Sequence, residues 1–600
     1  MAIESVQLYL AISDLRTGVR ELQGSLTDLG SKPGEWTTAR VDVASQREGE
    51  ALVRLQRSDR RLRTDLLLRV LAKFPYSKDQ VTTTLDLSAA VDAAARADGD
   101  LIDVARIYVS RPQSGNAAPG AAIVALLEAA AGPLSDADAR LTSAGDLLDR
   151  DSRLQLLEPL RVEVNQARSR LGPARESAHS GSEFARLLPG VMGASGTKTY
   201  LVLFANPSEL RPTGGFAGEV GTVTFDGGNL VKIDLRNQAE VSSAYKDKFP
   251  PPVQEAKYLS FLNGQLEIGD AGWDPNFPTS ARLQERMYKS ATGVQVDGTI
   301  SIDPILISEL LRVTGPVDVP KYGSFDADNV YLRINVVVNV PPAKGQPSGG
   351  KEALPEIATA IIAKIFAQPS SRWPDLATKM IEGAQERHLQ ISVNDAALEA
   401  VLHDQQFDGS LVSTPLTQDY ILIAEANVAA TKADYYIKRS VDVKVEIYPS
   451  GLNRHAIDIH YEYPPARDAT DRILNVFPTN PTSLYRDYVR FYLPLTATLG
   501  NIGYLEDGKP APAYGGGLQE QGIEANRQVF GTFFILHRGH TADLIIYYEV
   551  GLPADPPYQL YVQKQAGIPE LAIRLTVSYP GGIATRNETI VKDENFTIAW

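Results

Sequence analysis

LVLFANPSELRPTGGF, residues 201–216, is the stretch that decides how this chain is read. Together with Tyr200 it begins as YLVLFA, an apolar run too short for a globular helix and suited to a strand buried on both faces. The loop that follows crowds Asn206, Glu209, Arg211 and Thr213 together and ends in Gly214 and Gly215. Ligands in α/β sheets gather at the carboxyl ends of strands, so this loop is a candidate binding site. Arg211 is its fixed cation and can fork onto a carboxylate or phosphate, while the two glycines let backbone N–H groups approach an anion closely. The competing reading has Glu209 and Arg211 pairing with each other and pinning the loop in place. Directly downstream, VTFDGGNLVKIDL reads as a hairpin turned at Asp226, Gly227 and Gly228.

Working outward, the chain from about residue 3 to 187 is helical in pattern. Ile12, Leu15, Val19, Leu22, Leu26 and Leu29 fall near the spacing of one buried stripe, and similar stripes cover 52–74, 85–107 and 134–171. SGNAAPG at 114–120 breaks the run. Beyond residue 200, strands are predicted at 294–302, around 330–340 and at 420–424. Helices are predicted at 279–291, 304–313, 354–367, 373–387 and 396–405, and 341–356 reads as a mobile loop. From 436 the pattern is nearly all strand: Val441, Val443, Val445 and Ile447 alternate with polar residues, and the same period returns in AIDIHYEY, DLIIYYEV and AIRLTVSY. The expected class is multidomain α+β: an N-terminal helical bundle or stalk over 1–187, a central mixed α/β layered domain over 188–435 and a C-terminal β-sandwich over 436–600.

Composition narrows the function. The 600 residues carry 59 Lys and Arg against 73 Asp and Glu, a net charge of −14, so nucleic acid is not an expected partner and any anion site must be local. Without cysteine there is no disulfide, thiolate metal site or cysteine nucleophile. No unbroken apolar stretch of about eighteen residues occurs, and MAIESVQLYL lacks the basic start of a signal peptide. A start directly in an amphipathic helix also fits an ectodomain whose membrane anchor preceded it.

GASGTKT at 193–199 misses the phosphate-binding loop pattern by one residue and precedes a strand instead of following one, so it reads as a turn. The close histidine pairs are HRGH and HAIDIH; in the second, Asp458, His460 and Glu462 share a polar strand face and read as solvated surface. In GDAGWDPNFPTSA, Asp270 and Asp274 flank Trp273, which suits sugar or cation contact and equally suits a rigid turn around a buried tryptophan; Thr279 or Ser280 is the expected helix cap. Asp303 before Pro304 predicts another cap. Asn427, Lys432 and Arg439 stand where the α/β region meets the sandwich.

LVLFANPSELRPTGGF, DAGWDPNFPTSA, VDGTISIDPILISELLRVTGPVDVP and ANVAATKADYYIKR occur in the order seen in domain-of-unknown-function family 4012, which the chain resembles over about 185–440. The resemblance implies a bacterial, extracytoplasmic protein anchored by an N-terminal membrane helix. Gly272 and Asn276 replace an asparagine and an aspartate of the family pattern. More distantly, the middle of the chain is similar to the LytR-CpsA-Psr cell-envelope enzymes, which move glycopolymers from a lipid pyrophosphate carrier to the wall. That similarity implies that Arg211 and Arg236 face a pyrophosphate and that Asp270 assists a divalent cation. Asn206 stands where those enzymes carry an acid, and an amide is a poor metal ligand. Two functions follow: an envelope protein that binds a lipid-linked or anionic glycopolymer or serves as structure, with a homo-oligomer or an envelope protein as partner, and a glycopolymer transferase. The candidate ligand-binding residues are Asn206, Glu209, Arg211, Thr213, Gly214, Gly215, Arg236, Asp270, Trp273 and Lys432; no catalytic set is complete.

Overall fold

The computed structural model describes residues 2–30, 35–110, 119–339, 353–465, 484–553 and 556–600. The chain divides into two compact units. The first takes in 1–197 with the short segments 225–229 and 368–374; the second takes in the rest.

In the first unit the long helices are Ala2–Leu29, Thr38–Thr64, Pro75–Val109, Pro119–Asp151 and Glu158–Val191. The first two pack antiparallel, chiefly along small residues; of the predicted stripe Leu29 is buried, against Val41 and Ala44. Ala11, Gly18 and Ser25 face Ala44, Ala51 and Ser58 at heptad spacing, all buried. Ser58 Oγ donates to the Ala11 carbonyl at 2.8 Å, and Ser25 Oγ to the Ala44 carbonyl at 3.1 Å. Leu55 comes so near that a Cβ added to Gly18 would lie 2.7 Å from its Cδ2. Backbones this close tolerate only small side chains, so Ile12 and Leu26 are left 41 % and 49 % exposed. Gly120–Asp151 is long and apolar enough to cross a membrane by length and composition, with mean hydropathy 1.2. Here it packs into the bundle through Ala137, Leu141, Ala144 and Leu148. The break read at 114–120 lies, up to residue 118, outside the described residues.

The second unit holds both a mixed α/β sheet and the sandwich. The α/β sheet runs Asn229–Asn237, Phe216–Asp226, Lys198–Asn206, Gly298–Ile302, Leu389–Val393 in spatial order. Lys198–Asn206 lies at its centre and pairs parallel with Gly298–Ile302, Tyr200 opposite Gly298 and Phe204 opposite Ile302. Leu201 and Leu203 are buried, as the apolar run requires. The predicted hairpin at 226–228 forms. Helices appear at Phe277–Thr292, Pro304–Thr314, Ala353–Phe366, Trp373–Gln385 and Ala396–Asp404, each within a few residues of its expected span.

Three expectations are corrected. The stretch around 330–340 is not a strand but the helix Val330–Asn339: its β-branched content favours a strand, yet Val330, Ile334 and Val338 recur every fourth residue, and packing decides over propensity. Tyr420–Ala424 is a strand, Asp419–Asn427, but it joins the sandwich, between Tyr485–Leu493 and Tyr558–Gln563 in one of its two sheets. A strand buried on both faces carries no mark of which sheet it enters, so the sandwich begins before residue 436. The helix at Phe277 starts earlier than the proposed caps, and Asn276 precedes it without a side-chain cap bond. Asp303, by contrast, caps its helix as expected, accepting from Ile305 N at 2.9 Å and Leu306 N at 3.1 Å. The loop read at 341–356 lies, up to residue 352, outside the described residues.

Among the described residues the sandwich's other sheet has seven strands, with Thr541–Gly551, Leu452–Glu462, Lys438–Glu446 and Leu571–Tyr579 at its middle. Its inward row, Val441, Val443, Val445 and Ile447, is buried in one core with Phe491, Phe530 and Leu575. His455 and His460 stand five residues apart on one strand and so point to opposite faces. His455 is buried against Asp419 at 2.8 Å, while His460 meets Asp543 at 2.6 Å on the outer face. Their spacing cannot chelate a metal. In HRGH, His537 bonds Glu506 and His540 bonds Asp507, each at 2.7 Å.

Candidate functional site: a cavity beside the first strand

The polar loop is folded in on itself. Ser208 N donates to Asn206 Oδ1 at 3.0 Å, a local turn that starts the loop, and Phe216 N donates to the Glu209 carbonyl at 2.8 Å, which closes it. Gly215 makes the closure possible: its φ is 147°, and a Cβ there would lie 2.3 Å from the Asn206 backbone. Gly215→Ala is expected to destabilise the protein by more than about 1 kcal/mol, read as a lowered midpoint in urea unfolding.

Arg211 is held by partners inside the protein and stays outside the lining of the cavity. It is 0 % exposed, and all its donors are spent inside the protein. Nε and Nη2 reach Asp270 Oδ1 at 3.1 and 2.6 Å, Nη2 also reaches Glu209 Oε1 at 3.3 Å, and Nη1 donates to the carbonyls of Leu210 and Asn427 at 2.9 and 2.8 Å. Burial acts against its charge, but the Asp270 and Glu209 carboxylates outweigh that and raise its pKa further. Thr213 N and Oγ1 both donate to the Gly272 carbonyl at 3.3 Å. Gly272 leaves room for this contact, since a Cβ on it would lie 2.2 Å from Thr213 Oγ1. Gln390 Nε2 donates to the Thr213 carbonyl at 2.9 Å and Gln565 Nε2 to that of Arg211 at 3.2 Å, fixing the loop from the α/β and sandwich sides together. Trp273 is buried, stacked on Tyr488 with ring centroids 5.5 Å apart and with the Arg490 guanidinium over it at 5.1 Å. It serves the rigid turn, and Asp274 Oδ1 accepts Asn276 N within it at 2.9 Å.

The strand end nonetheless opens onto a cavity of about 310 Å³. Its apolar wall is made of Ile334 and Val338 of Val330–Asn339 and Leu354, Ile357 and Ile361 of Ala353–Phe366, together with Phe204, Phe216 and Ile307. Its polar side is built from Asn206, Glu209, Glu219, Asn237, Gln238, Glu267, Asp270 and Lys432. Asn206 Nδ2 donates to Asn335 Oδ1 at 2.9 Å, and Asn335 Nδ2 donates to Ser208 Oγ at 3.1 Å, tying the loop to the helix of the apolar wall. Asn237 Nδ2 donates to Glu219 Oε1 at 2.9 Å, and Gln238 Nε2 to Glu267 Oε2 at 2.7 Å. Lys432 reaches Glu209 Oε2 at 3.4 Å. Arg236, on the same strand as Asn237, stays outside the lining and pairs with Asp234 at 3.3 Å.

Carboxylates dominate the polar side. Burial pushes Asp270 up to about 6, against the pull of Arg211 and with Glu209 adding to the rise. Its Oδ2 is buried without a hydrogen-bond partner. Behind it, Glu255 is driven well above the usual carboxyl range, first by burial and then by Asp270. Asp270 does not suit a metal ion, because its other oxygen is held by Arg211, and among the described residues no group of three or more His, Asp or Glu is placed to hold one.

Of the ten candidate ligand residues, the cavity gathers Asn206, Glu209, Asp270 and Lys432. It leaves out Arg211, Thr213, Gly214, Gly215, Trp273 and Arg236. Asn335, Glu219, Glu267 and the aliphatic wall were not singled out from the sequence. The fourfold spacing of Val330, Ile334 and Val338, and of Ile357 and Ile361, was the signal that could have found the wall.

A mixed α/β domain with a self-pinned polar loop and a half-apolar cavity at the end of its first strand is the class that this architecture defines. Residues 195–335 match the model of a family described as "Protein of unknown function (DUF4012)". The match holds the loop, the tryptophan turn and the capped helix after Asp303; the fourth motif, at 426–439, lies beyond it. No curated protein and no solved structure matches the chain.

Proposed function

We propose that this is an envelope protein, held outside the cytoplasm at a bacterial membrane, whose central domain binds the apolar chain of a lipid-linked glycan. The observation that carries this reading is the mixed lining of the cavity, aliphatic and aromatic side chains together with amides and carboxylates. Its volume of about 310 Å³ stands at the small end of ligand pockets, which fits a segment of a chain more than a whole lipid. Amides and carboxylates suit sugar hydroxyls as hydrogen-bond partners. Four carboxylates against one lysine in the lining repel a strongly anionic polymer, so an uncharged glycan is the better fit.

Glycopolymer transfer in the manner of the LytR-CpsA-Psr proteins is the weaker reading. It calls for cations on a pyrophosphate, yet the donors of Arg211 are spent internally and Arg236 pairs with Asp234. Solvent extraction of the purified protein followed by mass spectrometry tests the binding reading. The expected result is a co-extracted lipid that is lost in Ala358→Trp, where the indole would fill the cavity, while the melting temperature stays within a few degrees. Absence of any lipid, together with failure to take up a fluorescent prenyl probe, would sink it.

A further inference from the structure

Where the second and third long helices meet, the bundle turns its apolar residues outward. Asp65 caps the short helix Leu66–Leu71, accepting Leu68 N at 3.0 Å, and Ser77 Oγ donates to the Leu71 carbonyl at 2.7 Å to close the turn. Leu68 and Leu71 are half-buried against the bundle. Leu66, Leu67 and Val70 are 58, 45 and 50 % exposed and spaced to share the opposite face of that helix, and Phe74, just before the next helix, is 59 % exposed. Leu157, 52 % exposed, stands at the same end, because Leu157 N donates to Gln80 Oε1 at 3.0 Å and Gln80 Nε2 donates to the Gln155 carbonyl at 2.9 Å. Exposed apolar side chains gathered at one end of a bundle in this way mark an interaction surface.

Its charge says which. The chain as a whole is at −14, yet residues 54–78 carry eight Lys and Arg against two Asp. Of those two, Asp65 is buried as a cap and Asp59 pairs with Arg63 at 2.8 Å. Arg57, Arg60, Arg69, Lys73 and Lys78 are exposed around the apolar face. Exposed leucine and phenylalanine ringed by long basic side chains is the composition that seats a helix in the headgroup region of an anionic bilayer, apolar side down, with the cations on lipid phosphates. A second copy docking here face to face would set these cations against their own kind, and nucleic acid would leave the apolar side chains without a partner.

We propose that this end of the helical bundle is a peripheral membrane-docking surface, selective for anionic phospholipid headgroups. It is independent of the cavity: either can fail without the other. The test is co-sedimentation of the full chain with vesicles of phosphatidylcholine alone and of phosphatidylcholine mixed with phosphatidylglycerol. Binding to the mixed vesicles is expected, weakening as sodium chloride is raised. Val70→Glu with Phe74→Glu should cut the bound fraction on the order of tenfold, and Arg69→Glu with Lys73→Glu should remove the preference for phosphatidylglycerol. Since these side chains are exposed, both variants should melt like the parent, which separates lost docking from lost folding. Equal sedimentation with both vesicle types, or unchanged binding by the apolar variant, would overturn the proposal. So would a dimer that the apolar variant dissociates, or DNA binding that the basic variant abolishes while vesicles are ignored.

Discussion

Arg211→Ala is expected to cost the protein on the order of 3–5 kcal/mol of stability, enough to shift the unfolding midpoint in urea far below that of the parent. The guanidinium is fully buried and binds Asp270, Glu209 and the carbonyls of Leu210 and Asn427. Removing it strands carboxylates and carbonyls in the interior, and uncompensated buried polar groups are what make such losses large. Arg211→Lys should recover only part, because a point-like ammonium cannot reach four acceptors lying in different directions. Asp270→Asn in the alanine background should also recover part, since it removes the most buried of the abandoned charges. A variant that melts like the parent but no longer retains lipid would mean instead that Arg211 serves a ligand.

That expectation reverses the reading the sequence invites. Fork geometry, adjacent glycines and a strand's carboxyl end all suggest an anion site around Arg211, and Glu209 two residues away offers the alternative of an internal pair. What tips the balance is Asp270, fifty-nine positions further on, and the Asn427 carbonyl at the edge of the sandwich. Neither partner is visible in local spacing. The same limit explains the strand Asp419–Asn427: its apolar run announces burial on both sides without saying in which sheet. Elements with a period of their own were legible, as in the central strand at Lys198–Asn206, the helices after Asn276 and Asp303, and the alternating strands of the sandwich. The cavity was half legible. Part of its polar side, Asn206, Glu209, Asp270 and Lys432, came from residues already noted, whereas Glu219, Glu267 and the aliphatic wall did not, the wall depending on reading VYLRINVVV as a helix against its β-branched composition. In the bundle the leucines drew the eye, but the seam is built of alanine, glycine and serine, whose burial leaves a weaker mark in a hydropathy pattern.

Within that small-residue seam lies the second large effect. Asp98, on the helix Pro75–Val109, is 3 % exposed; its Oδ2 accepts the Ser25 hydroxyl at 2.8 Å and its Oδ1 is buried without a hydrogen-bond partner. Burial pushes its carboxyl up to about 7; the Ser25 hydrogen bond opposes that rise and nearby Glu48 reinforces it. A carboxyl whose folded pKa exceeds its unfolded one binds its proton more tightly in the native state, so its contribution to stability is complete below the unfolded value. That contribution is lost as pH rises through the folded value. For Asp98 the window runs from about 4 to about 7, and the shift corresponds to about 4 kcal/mol once the group is fully ionised. Asp98→Asn keeps the acceptor for Ser25 and removes the titration. Urea unfolding of the full chain, followed by the helical signal at 222 nm in far-ultraviolet circular dichroism, should show the parent losing stability across that window and the asparagine variant losing markedly less. Above about pH 7 the variant should be the more stable of the two. Parallel pH profiles for both proteins would mean that Asp98 stays ionised in the folded bundle, reached by water that relieves its burial.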